Sequence, residues 1–145
     1  MKDPIRFVRK GILDALDGNV QLDSVDVPVY GRVPSNASFP FIRVYSLETN
    51  EIDNNRDSFN TEVITRIEVN TRFDSDTGGE LDCNIITDKI AQIVRTRSGG
   101  YVDLGSNGFK IYTSEIESIS YVEDDMIDKT YFRSIMELSN RVFQI

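Results

Sequence analysis

Residues 61–73 carry the pattern that most restricts this chain. Val63, Thr65, Ile67, Val69, Thr71 and Phe73 alternate with Glu62, Arg66, Glu68, Asn70 and Arg72. Successive side chains of a strand point to opposite faces, so a period of two predicts a β-strand with one covered face and one wet face. A helix would scatter the same apolar residues around its axis. At about 3.3 Å per residue the strand spans roughly 40 Å, long enough to project beyond a small sheet. The fold must therefore contain a sheet, with something apolar to cover one side of it.

Two segments have the right periodicity to be that cover. Ile5, Val8, Ile12, Leu13 and Leu16 recur at helical spacing. Asp3 is placed to cap that helix, Pro4 suits its first position and Gly18 its end. Thr77-Gly78-Gly79-Glu80 has the form of a capping box, and the helix behind it is expected to run to about Ser98. Its apolar stripe is Leu81, Ile85, Ile86, Ile90, Ile93 and Val94. Glu80 and Asp82 lie at the positive end of the dipole, Arg95 and Arg97 at the negative end, and Gly99-Gly100 terminates it.

The other strand signals are shorter. Val27-Pro28-Val29-Tyr30-Gly31-Arg32-Val33 contains Pro28 and Gly31, which place it at an edge or bend. After a turn at residues 35–38, Phe41-Ile42-Arg43-Val44-Tyr45-Ser46-Leu47 is rich in aromatic and β-branched residues. Residues 48–60 hold four Asn and four acidic side chains against one Arg and predict a long exposed hairpin loop. Residues 109–122 and 129–143 predict a final hairpin with an acidic tip at residues 123–128.

One domain accommodates all of this, because a chain of 145 residues with no repeat or linker has little room for two. The expected fold class is α+β: a two-layer sandwich in which a mainly antiparallel or mixed β-sheet carries two helices on one face. Ser134, Glu137 and Arg141 are assigned to the opposite face, which meets water or a neighbouring subunit.

Composition limits the chemistry. The chain has no His, no Trp and one Cys, which removes Ser-His and Cys-His nucleophile pairs, histidine-ligated zinc, an internal disulfide and multi-cysteine metal sites. Gly99-Gly100 and Gly105-Ser106-Asn107-Gly108 lack the context and Lys of a phosphate loop and read as turns. Asp53-Asn54-Asn55-Arg56-Asp57 starts like a calcium loop, yet no Gly stands at its sixth position and Ile64 occupies the place of the bidentate Glu. Cys83 near a helix start has no base beside it, and the adjacent acids Asp124 and Asp125 at a hairpin tip point into water. No catalytic, cofactor-binding or metal-binding residue is assigned, no cofactor is expected, and the chain is expected not to be an enzyme. The start Met1-Lys2-Asp3-Pro4 is followed by no apolar signal core, since Arg6, Arg9 and Lys10 interrupt it, so the chain is expected to stay in the cytoplasm where it is made, with no membrane partner.

Charge is distributed unevenly. The net charge of -8 comes from 24 acidic and 16 basic side chains, which disfavours coating DNA. Residues 48–60 are net -3, residues 99–128 hold one basic and seven acidic groups, and residues 129–145 hold three basic and one acidic. Acidic loops of this kind face solvent, a basic partner, or a channel through which a polyanion passes without sticking.

The run Val29-Tyr30-Gly31-Arg32-Val33-Pro34, the polar turn after it, and Phe39-Pro40-Phe41-Ile42-Arg43-Val44 resemble the N-terminal pattern of the tail-completion, or tail terminator, proteins of tailed bacteriophages. The similarity continues through the strand ending Val69-Asn70-Thr71-Arg72-Phe73, the second helix and the last strand. The Trp common near the middle of that family's long strand has no counterpart here.

The resemblance implies a virion structural protein forming a ring, commonly a hexamer, which ends tail-tube polymerisation and faces the head or neck. The implied partners are further copies of the chain, tail-tube and neck or connector proteins, and passing genomic DNA without specific binding. The implied location is the virion tail or neck, after assembly in host cytoplasm. The candidate subunit and partner contacts are Glu51, Asp53, Arg56, Asp57 and Phe59 in the first acidic segment, Glu123, Asp124, Asp125 and Asp128 in the second, and Arg133 and Arg141. The competing expectation is a small acidic binding or regulatory domain that sequesters a basic partner as a nucleic-acid mimic.

Overall fold

The computed structural model describes residues 1–55, 57–96 and 102–145, residue 54 by its backbone only. In chain order the elements are helix α1 (Ile5–Leu16), the small hairpin β1 (Gln21–Leu22) and β2 (Val25–Asp26), and strand β3 (Val29–Tyr30). The long hairpin β4 (Phe41–Asn55) and β5 (Ser58–Asp74) follows, then helix α2 (Leu81–Val94), a 3-10 turn at Gly105–Asn107, and a second long hairpin, β6 (Phe109–Asp125) and β7 (Lys129–Gln144).

The main sheet has the order β3-β4-β5-β7-β6. Every pairing is antiparallel except β3 with β4, where Val29 lies opposite Ile42 in parallel register, so the sheet is mixed. The alternating strand is central: Ile67 faces Val44 on one side and Met136 on the other. Ile42, Val44, Val63, Ile67, Val69, Met136, Leu138 and Val142 share one face, where they are buried with Val8, Ile12 and Leu16 of α1 and Ile86, Ile90 and Val94 of α2. Each fully buried Ile or Leu contributes about 1.5–3 kcal/mol relative to an exposed one, so this seam holds the layers together. The result is the expected α+β sandwich, with both helices on one face of the sheet.

At the start of α1, Asp3 Oδ1 accepts the Ile5 backbone N–H at 3.0 Å, but the helix begins one residue later than expected, so Pro4, expected as the first helical residue, is the N-cap and Asp3 stands one position before it. The β1–β2 turn uses Asp23 and Ser24, both at positive φ. Lys89 of α2 donates to the Gln21 carbonyl and ties this hairpin to the helix layer. The Phe39–Pro40 peptide is cis.

Four expectations are corrected. Residues 48–60 are not a loop: β4 continues to Asn55 and β5 begins at Ser58, paired down to Asn55 opposite Ser58. Backbone ladder bonds are indifferent to side-chain polarity, so a polar pair of strands holds together when it extends an established register. Asn55 Oδ1 closes the end, accepting from Asp57 N at 2.8 Å and Ser58 N at 3.1 Å.

The capping box at Thr77 and Glu80 does not form. The Thr77 hydroxyl donates to the Asp74 carbonyl at 2.6 Å, closing a turn after β5, and α2 starts at Leu81 with no side-chain cap. Thr77 stands three positions before the observed N-cap residue, Glu80, so its hydroxyl oxygen does not occupy the position from which it could accept a first-turn N–H.

The buried stripe of α2 is Cys83, Ile86, Thr87, Ile90 and Val94, whereas Leu81 is 69% exposed. The helix is rotated from the hydrophobic optimum so that Thr87 meets the sheet. Arg97, Ser98, Gly99 and Gly100, expected at its end, lie outside the described residues.

Ser134 is fully buried and faces the helices, not the open side. It lies opposite Val69 in register, on the face that carries Met136 and Leu138. Glu137 and Arg141 do stand on the other face, opposite Arg66 and Glu62.

Candidate functional site

The side of the sheet turned away from the helices carries Arg43 and Tyr45 of β4, Glu62, Arg66, Glu68 and Arg72 of β5, and Tyr131, Arg133, Glu137 and Arg141 of β7. Opposite charges meet across the strands there. Arg66 Nη2 lies 2.9 Å from Glu137 Oε1, Arg141 Nε lies 3.9 Å from Glu62 Oε2, and Arg133 pairs with Asp124 of β6. The Tyr45 hydroxyl donates to Glu68 at 3.0 Å, and the Arg43 guanidinium sits over the Tyr45 ring. Hydrogen bonding to Tyr45, and then to Glu137, raises the Arg66 pKa still further.

At the end of this face near residues 72 and 131, Phe39 forms an aromatic corner. Its ring lies 4.9 Å from Phe41 and 5.9 Å from Tyr131, under the Arg72 guanidinium at 4.5 Å. The face is thus a ladder of matched charges and rings. Such a surface is suited to contact another protein surface, since paired ions lose less on desolvation than lone ones.

The two acidic segments lie at opposite ends of the sheet. Asn60 pairs with Phe143, which puts the β4–β5 tip beside the start of β6, whereas Asp125 pairs with Thr130 at the other end of the same strands. Glu51, Asp53, Asp57 and Phe59 therefore cluster at the first tip, and Glu123, Asp124, Asp125, Asp128 and Arg133 at the second. Arg141 falls near the first tip, opposite Glu62. Arg56 lies outside the described residues.

At the second tip Met126 N donates to the Lys129 carbonyl at 2.8 Å, and the turn thrusts Met126 and Ile127 into solvent, 59% and 100% exposed. Asp124 is held by Arg133, and Asp74 by Lys129 at 2.8 Å, which lowers the Asp74 pKa through that hydrogen bond. Glu123, Asp125 and Asp128 remain exposed.

Cys83 is buried, and burial pushes its thiol pKa up, away from nucleophile range. Among the described residues no group of three His, Cys, Asp or Glu side chains is placed to hold a metal ion, and no helix is long and apolar enough to cross a membrane.

Sequence reasoning passed over the charge ladder and the apolar pair at the second tip. Both left signals: Glu62, Arg66, Glu68 and Arg72 share one strand parity, and Met126-Ile127 interrupts an otherwise acidic turn. No protein-family model matches this chain, and no curated protein is similar to it in sequence.

Proposed function

We propose that this chain is a virion structural protein of a tailed phage: a ring-forming tail terminator, tail-completion or neck component that joins the tail to the head and lines the DNA passage. The observation that carries the reading is the placement of two projecting hairpin tips at opposite ends of one sheet whose helix-free face is a ladder of paired charges. A ring subunit needs different patches directed at the neighbours before and after it, and opposite ends of long strands supply them. The element order and the motifs at residues 29–34 and 39–44 support the family resemblance.

In this role the partners are further copies of the chain, tail-tube and neck or connector proteins, and DNA that passes without being gripped. The excess of acidic over basic groups keeps such a passage from binding phosphate. The protein would assemble in host cytoplasm and end in the virion, and it would work by presenting surfaces, with no catalytic step. A nucleic-acid mimic is less well supported, because Asp124, Glu137 and Asp74 are each neutralised by a neighbouring Arg or Lys.

Native mass spectrometry and negative-stain microscopy of the purified chain, with mass spectrometry of purified particles, test the reading. A closed ring and presence in virions are expected. A chain that stays monomeric at all concentrations and is absent from particles would end it.

A further inference from the structure

The helix layer is narrower than the sheet. α1 packs on β4 and β5, and α2 on β5 and β7, which leaves the edge strand β6 largely outside that layer. Ile116, Ile119 and Tyr121 of β6 stand on the helix side, opposite Leu138, Met136 and Ser134 in register. Ile119 and Tyr121 are 37% and 43% exposed, although their neighbours on β7 are buried. They form an apolar shelf beside α2, and its rim is acidic. Burial, then Cys83, Glu80 and Asp88, push the Tyr121 hydroxyl pKa up, so both carboxylates stand close to that ring. Glu123 follows on the same side, opposite Phe132. Arg95, about two turns beyond Asp88, turns its guanidinium to the Thr96 carbonyl.

The other edge of the molecule carries the reverse charge. There the outer flank of α1 presents Arg6, Arg9 and Lys10 around Phe7 and Leu13, and among the described residues no carboxylate lines that hollow. Asp17, one turn past Leu13, is the C-cap of the helix. Arg9 donates to Ser46 Oγ of β4 at 3.1 Å, and the Arg6 guanidinium lies over the Phe7 ring. Among the described residues neither Arg6 nor Arg9 enters an ion pair, while Lys10 is held by Asp14. Ser46, Thr65, Leu138 and Ile116 form one row across the strands, so Arg9 stands level with the shelf. On any one chain β5 and β7 keep the two surfaces apart.

We infer that the α1 flank of one copy seats on the β6 shelf of the next, with Leu13 on Ile119 and Tyr121 and Arg9 against Asp88. The occupant of the shelf is a second copy of this chain, because both surfaces are apolar, their rims are opposite in charge, and they lie at one level on opposite edges of a single sheet. A heterologous contact repeated around an axis requires that arrangement. The strand directions agree with it. β4, β5, β7 and β6 alternate, so β6 and the second copy's β4, whose outer edge β3 pairs only at Ile42 and Arg43, then lie side by side in antiparallel sense. Glu48 and Glu51 on β4 and Glu115 and Glu117 on β6 exclude the registers that would set them opposite one another. The contact deepens the ring reading by adding a lateral interface to the two tips, and it rests on that reading only for closure.

Sedimentation velocity on the full chain tests this with wild type, Arg9→Glu, Asp88→Arg and a chain carrying both changes, each checked for folding by circular dichroism. Either single variant should need about tenfold or more concentration to associate, since like charges then meet in the contact. The double variant should regain most of the loss, because every copy supplies both partners. Tyr121→Ser, at a half-exposed position, removes apolar area without touching either charge and should weaken association as well.

Unchanged association in all three single variants would overturn the inference and leave the ring reading standing. Loss in both charge variants with no recovery in the folded double variant would refute the match between these edges. Open filaments from the wild type that Arg9→Glu dissolves would uphold the contact and end the closed ring. A wild type that stays monomeric at every concentration would overturn the contact and the ring together.

Discussion

Ser134 of β7 donates its hydroxyl hydrogen to Thr87 Oγ1 of α2 across 2.6 Å, inside the interface between helix and sheet. The direction follows from counting hydrogens: Thr87 has one, and it goes to the Cys83 carbonyl at 2.7 Å, so Ser134 must be the donor. A polar contact is thereby built into the buried seam between α2 and the sheet. Thr87→Val should remove about 1–3 kcal/mol by stranding the Ser134 hydroxyl, and Ser134→Ala about 1 kcal/mol. The double variant should lose less than the sum, since neither group is then left unmatched; urea unfolding of all four proteins measures the coupling.

Thr65 is fully buried between Val63 and Ile67, and among the described residues its hydroxyl oxygen has no hydrogen-bond partner. Thr65→Val keeps the shape and deletes the unmatched polar group. The expected result is a gain of about 1 kcal/mol, seen as a higher denaturant midpoint with unchanged slope.

Gly78 adopts φ +85, and a Cβ there would lie 2.2 Å from the Phe73 ring. Both the backbone and the contact oppose a side chain. Gly78→Ala should destabilise by about 1–3 kcal/mol, read from thermal unfolding, whereas Gly79→Ala, with open space around it, should be much milder.

Asp74 is held below the ordinary carboxylate range chiefly by the hydrogen bond from Lys129. A depressed folded pKa means that its contribution is present above the unfolded value of about 3.9 and is lost as pH falls through the folded one. Asp74→Asn should therefore lower the melting temperature slightly at neutral and alkaline pH, leave it unchanged at the acid extreme where Asp74 is protonated, and so flatten the acid limb of the profile. The effect is small because the carboxylate is 83% exposed.

Cys83 has the opposite sign. Burial, the largest influence, raises its thiol pKa, so the stabilisation is present below the unfolded thiol value and is lost as pH rises through the folded one. Wild type should lose stability at alkaline pH more steeply than Cys83→Ala. Thiol modification at neutral pH should proceed at the rate of the opening that exposes α2.

The layered architecture was legible because it depends on periodicity: the parity of residues 61–73 and the apolar spacing of α1 each admit one element type. Site placement was less legible. The acidic segment at residues 48–60 lacks the composition of strands, yet most of it lies in β4 and β5 because its backbone continues a register set by Val44 and Ile67. Ser134 carries no mark in sequence of the face it occupies, and only its place opposite Val69 decides that.

By itself the sequence determined an α+β, sheet-dominated fold, the approximate bounds of α1 and the late strands, the absence of His and the concentration of acid in two segments. These follow from local pattern and count, which need no knowledge of distant residues. The tertiary structure alone decided that the acidic tips lie at opposite ends, that Arg66 meets Glu137 across 71 positions of sequence, and that Thr87 turns inward to Ser134. Those are consequences of strand register and layer packing, which couple residues far apart in the chain through contacts no local pattern encodes.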